Sequence, residues 1–175
     1  MRLFTILLLL SSALLCSGAL IDDTRELAEQ GDALFQCVLG LMYVNGAGVP
    51  EDYAEAMKWF SMAAEQGDAD AQYQLGKMSD KGHGVPEDDA EAAKWYRKAA
   101  EQGHAPAQSQ LGFMYGAGMG VLEDYVAAYM WHNLAAAQGN ERAKKGKSIL
   151  SQMMTSEQIA EAQKLSREWL AKHSK

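Results

Sequence analysis

The sequence predicts an all-α fold, an α/α solenoid of about three 36-residue helical hairpins with a C-terminal capping helix. Three observations carry that expectation. Gly31, Gly67, Gly103 and Gly139 recur at an interval of 36 residues, and Trp59, Trp95 and Trp131 keep the same interval. Within each period, apolar residues spaced three and four apart mark two amphipathic helices. Paired glycines or a Gln-Gly pair separate those helices, as turn signals should. Hydrophobic residues at 48% and charged residues at 22% are ordinary globular composition.

The N-terminus has the pattern of a secretory signal. Arg2 precedes an almost continuous apolar run from Leu3 to Leu15, and Ser17, Gly18 and Ala19 are small enough for cleavage. Residues 1–19 are therefore expected to be removed, leaving a periplasmic or secreted protein. Loss of Arg2 would take the formal charge from -7 to -8. The alternative is an uncleaved inner-membrane anchor. Thr5, Ser11, Ser12, Ser17 and Gly18 break the run, however, and a span needs roughly 20 mainly apolar residues. Cys16 leaves with the signal, so Cys37 stands alone and stability must come from packing.

Residues 20–30 read as an N-terminal cap segment, because Ala28-Glu29-Gln30-Gly31 copies Ala64-Glu65-Gln66-Gly67. The repeats follow at 31–66, 67–102 and 103–138. Their first helices are expected over Ala33 to Tyr43, Ala69 to Ser79 and Ala105 to Tyr115. Leu39, Leu75 and Leu111, with Met42, Met78 and Met114, form their apolar face. Gly40, Gly76 and Gly112 fall inside these helices, where glycine costs roughly 1 kcal/mol relative to alanine. Close approach of the hairpin's two backbones would explain them.

The loops at 45–50, 81–86 and 117–122 carry paired glycines suited to a left-handed turn. Asp52, Asp88 and Asp124 then occupy N-cap positions, and Glu55 and Glu91 stand three residues on, as in a capping box. Second helices are expected from Tyr53 to Glu65, Asp89 to Glu101 and Tyr125 to Ala137, with Trp59, Trp95 and Trp131 on their buried stripes. Residues 139–175 form a degenerate repeat and a terminal helix. There Thr155 and Gln158 make a capping box, and Ile159, Ala162, Leu165, Trp169 and Leu170 supply an apolar stripe to seal the last face.

The order Ala-x-x-Gln-x-x-Leu-Gly-x-Met-Tyr, then Gly-x-Gly-Val-x-x-Asp, then Ala-x-x-Trp with Ala-Ala-x-Gln-Gly, resembles Sel1-like repeats, relatives of the tetratricopeptide repeat. The match runs from Ala28 to Gly139. The resemblance implies first helices lining a concave side, and a role as adaptor in bacterial envelopes, signalling or host contact. Some cysteine-rich relatives are associated with β-lactam binding or hydrolysis. Their hallmark is a disulfide across each hairpin, for which this chain has no cysteine pair.

No catalytic, metal or cofactor constellation stands out. The glycines of 116–120 recur in register with Gly46, Gly48, Gly82 and Gly84, so a turn explains them better than a phosphate loop. His83, His104, His132 and His173 share no metal-ligand spacing. The charge of -7 argues against a nucleic-acid partner. Positions that differ between the copies are free for recognition, and Tyr73, Gln74, Lys77, Ser109, Gln110 and Phe113 share one stripe of the first helices. The expectation is an exported, non-catalytic scaffold binding a protein of unknown identity, without membrane insertion after cleavage. An envelope enzyme of the β-lactamase-like or cell-wall hydrolase kind and a secreted host-interaction effector are the alternatives.

Overall fold

The computed structural model describes residues 18–173. The apolar run read as a secretory signal lies outside them, while Gly18 and Ala19 open the first described helix. Among the described residues the elements are nine helices, joined without strands. They are α1 Gly18–Glu29, α2 Ala33–Asn45, α3 Tyr53–Glu65, α4 Ala69–Lys81, α5 Asp89–Glu101, α6 Ala105–Ala117, α7 Tyr125–Ala137, α8 Glu141–Met153 and α9 Ser156–His173. Helices α2 to α7 form three hairpins, each packed on the next.

The first helices run two residues further than their last apolar position suggested. Gly46, Gly82 and Gly118 adopt left-handed backbone (φ 62°, 65° and 65°), and their N–H groups donate to the carbonyls of Met42, Met78 and Met114. That bond closes each final turn, so the glycine and not the apolar pattern ends the helix. Asp52, Asp88 and Asp124 cap the second helices as expected. The capping box does not close, however. The N–H of Asp52 is already donated to Tyr43 O and that of Asp88 to Ser79 O, so Glu55 and Glu91 pair with Lys58 and Lys94 instead.

The tryptophans are not the centre of the core. Trp131 is 7% exposed, but Trp59 and Trp95 are only half-buried. The following residue, Phe60, Tyr96 or His132, fills the hairpin interior. This also corrects the reason for the helical glycines. A Cβ at Gly40 would lie 2.6 Å from the Phe60 ring, and at Gly76 2.6 Å from the Tyr96 ring. At Gly112 it would meet His132 Cγ at 3.0 Å and the Ala128 carbonyl at 3.1 Å. In the first two units the close neighbour is an aromatic ring, not the partner helix's backbone.

A repeated glutamine relay joins one unit to the next. Gln36, Gln72 and Gln108 donate to the carbonyls of Ala28, Ala64 and Ala100 at 3.1, 3.2 and 3.1 Å. Each accepts in turn from the glutamine that ends its own unit, Gln66, Gln102 or Gln138, at 2.8, 2.8 and 2.9 Å. Polar groups buried at the joints are thereby satisfied.

The C-terminal helix covers the last hairpin as expected, but from one side only. α9 packs along α7, not back along α8. Buried Ala162 joins the cluster of Ala128, Tyr129 and Leu150, and Trp169 meets Trp131 edge-on at 6.2 Å. The outer side of α8 is left open, with Ile149 60% and Met153 57% exposed.

Candidate functional face

The first helices α2, α4 and α6 carry the differing positions singled out from the sequence, and α8 is the next helix in their row. On α4, Tyr73 is half-buried against the Tyr96 ring (5.7 Å) and the His104 ring (4.9 Å). Lys77 stands over Tyr73 at 5.8 Å and donates to Gln74 Oε1 at 3.2 Å. Burial and the like charge of Lys81 hold the Lys77 ammonium below its ordinary pKa. On α6, Gln110 is half-buried with its Oε1 lacking a hydrogen-bond partner, and Phe113 is 44% exposed. Ser109 is not on this surface at all: it is 2% exposed.

Two residues of this face were hidden by the degenerate look of α8. Ile149 lies one period after Phe113, and Arg142 places its guanidinium 5.5 Å from the Phe113 ring centroid. Between α6 and α8, Phe113, Ile149, Leu150, Met153 and Tyr125 line an apolar recess of about 220 Å³, with His132 and Gly146 at its wall. A second recess of about 220 Å³ lies between α2 and α4, lined by Val44, Asn45, Gln74, Lys77, Lys81 and His83.

His132 sits where the other units carry Phe60 and Tyr96. A Cβ at Gly146 would be 2.6 Å from its Nε2, so two glycines flank the ring. Its Nδ1 is buried without a partner, and burial, with Arg142 adding to it, lowers its pKa to about 4. The side chain is neutral at neutral pH. Cys37 is fully buried, and burial together with Asp68 and Asp70 pushes its thiol pKa up, away from the reactive thiolate.

A larger cleft of about 480 Å³ opens between the ends of α5, α7 and α9. Several of its polar groups are already engaged. Gln138 donates to Gly103 O and Gln108 Oε1, and His173 stacks on Trp169 while its Nδ1 lies 2.7 Å from that residue's carbonyl. Among the described residues no group of three or more His, Cys, Asp or Glu could hold a metal, and no helix is long and apolar enough to cross a membrane.

Hairpins of constant length, with an aspartate capping every second helix and a left-handed glycine ending every first one, define a helical-repeat solenoid. Residues 33–68, 69–104 and 105–140 each match the Sel1 repeat, and the chain belongs to the Sel1 repeat family, whose members are generally protein–protein interaction scaffolds. No curated protein matches the chain. Among solved structures it is similar to c5321 of uropathogenic Escherichia coli, a protective antigen displaying an SLR fold. There the identity is 39%, the TM-score 0.82, and the match covers 87% of this chain. This chain spans only 33% of that protein's length. It is also similar to a Sel1 repeat protein of Oxalobacter formigenes, with 42% identity and a TM-score of 0.68 over 73% of this chain and 96% of the other. Cysteine-rich protein B of Helicobacter pylori shares the fold at 22% identity, with a TM-score of 0.60 over 71% of this chain and 92% of that one.

Proposed function

We propose that this chain is an exported scaffold or adaptor of the bacterial envelope that binds a protein partner on its first-helix face and performs no chemistry of its own. One observation carries the reading. Several first-helix positions that differ between otherwise matching units share one face, and that face keeps Phe113, Ile149 and Met153 exposed beside half-buried Tyr73 and Lys77. Aromatic and aliphatic anchors within polar surroundings are what interfaces use. Export rests on the N-terminal sequence pattern.

A photo-crosslinking amino acid at Phe113, introduced in the native cell, tests it. A discrete protein adduct from position 113 and none from position 58 on α3 is expected. Equal adducts from both positions, or none from either, would remove the first-helix face from consideration. The second reading is secretion and contact with a host protein, favoured by similarity to a protective antigen. Accumulation of the protein in the medium instead of the periplasm would select it. The enzyme alternative is answered by nitrocefin and peptidoglycan turnover assays on purified protein, where loss of turnover on a single polar substitution would establish catalysis.

A further inference from the structure

Charge is distributed unevenly over this acidic chain. Of its 23 acidic residues, only Asp70, Asp80 and Glu141 lie on the first helices α2, α4, α6 and α8. Each is engaged or covered. Asp70 meets His104 Nε2 at 3.1 Å, Glu141 pairs with Lys144 at 2.7 Å, and Asp80 lies close enough to Tyr73 and Tyr96 to bear on both hydroxyls. Among the described residues, Lys77, Lys81 and Arg142 on the same helices have no carboxylate within ion-pair distance. The first-helix face is therefore cationic within a protein of net charge -7.

We infer that the first-helix face takes an acidic polypeptide segment carrying an apolar anchor residue, the anchor entering the recess between α6 and α8 and the carboxylates meeting Arg142, Lys77 and Lys81. This rests on the scaffold reading and specifies its partner. The apolar recess, at about 220 Å³, is smaller than the roughly 300–1,000 Å³ of sites that enclose whole small molecules. It suits one side chain of leucine or phenylalanine size. A nucleic-acid polyanion would meet the same cations but is repelled by the rest of the surface, and it offers no aliphatic anchor. A carboxylate beside Lys77 would also relieve the repulsion between that half-buried ammonium and Lys81.

Panning a phage-displayed random dodecapeptide library on the purified chain tests the inference. Enriched peptides should carry an excess of Asp and Glu around a Leu, Ile, Phe or Met. A synthetic copy of the commonest one should lose roughly tenfold in affinity with Arg142→Glu, Lys81→Glu or Ile149→Ala, and weaken as salt rises. Lys94→Glu on α5 should leave it unchanged, and circular dichroism checks that each variant is folded. Failure to enrich peptides, enrichment of neutral or basic ones, or binding indifferent to Arg142→Glu and Ile149→Ala overturns the inference. If position 113 still crosslinks to a protein in the cell, the scaffold reading survives that failure; if it does not, both fall.

Discussion

Gly76 and Tyr96 show how a single hydrogen atom sets the width of a hairpin. Alanine is the better helix former by about 1 kcal/mol, yet its methyl would enter the Tyr96 ring at 2.6 Å. Overpacking of that kind costs typically 1–3 kcal/mol. Net of the propensity gain, Gly76→Ala should destabilise by up to about 2 kcal/mol, seen as a lower urea midpoint, and a cycle with Tyr96→Leu should show strong coupling. His132 makes the same contact with a titratable ring. Unfolded, it takes its proton near pH 6.5; folded, near pH 4. Between those values the unfolded state binds more protons, so stability falls as pH drops from about 6.5 to about 4, by roughly 3 kcal/mol at most. His132→Phe, which copies Phe60, should flatten that part of a pH–stability curve measured by chemical denaturation.

At the scale of the element, the joints between units are carried by pairs of glutamines. Gln72→Leu would leave the Ala64 carbonyl and Gln102 without their buried partner, a loss of about 1–3 kcal/mol. Hydrogen exchange should then quicken at the α3–α4 joint before it does elsewhere. The second helices were legible to the residue, because Asp at the cap and Gln-Gly at the end are local signals. The first helices were read two residues short, since a carbonyl bond to a left-handed glycine leaves no apolar mark. Trp59 drew more weight than Phe60 because it repeats identically, whereas Phe60, Tyr96 and His132 share only a ring and a position. Of the candidate surface, Tyr73, Gln74, Lys77, Gln110 and Phe113 were readable as differences between copies, and Ser109 was not distinguishable from them. Arg142 and Ile149 escaped because α8 departs from the repeat pattern that made the comparison possible.

At the scale of the molecule, the extensive helix contacts among the described residues run within a unit or between adjacent units, so disturbance should spread by one joint and then fade. Cys37, buried against the α3–α4 side of the first unit, is a built-in reporter. Gln72→Leu should raise its labelling rate by a thiol reagent under native conditions, whereas a lesion in the third unit, such as Gly112→Ala, should leave it near the wild-type value. Equal acceleration by both would mean the array opens as one block.

The second glycine of each loop adds something to this picture. A Cβ on Gly84 would come within 3.1 Å of the Tyr53 backbone, and one on Gly120 within 2.1 Å of the Asp89 carbonyl. Both contacts reach back 31 residues, to the first residue of the preceding unit's second helix. A seam made by missing side chains asks nothing of the residues around it. Copying 67–102 in tandem should therefore supply both halves of a working seam at once, and lengthening the chain by one whole unit should yield a folded monomer with proportionally more helix. The surface can then diversify while the means of growth stays constant.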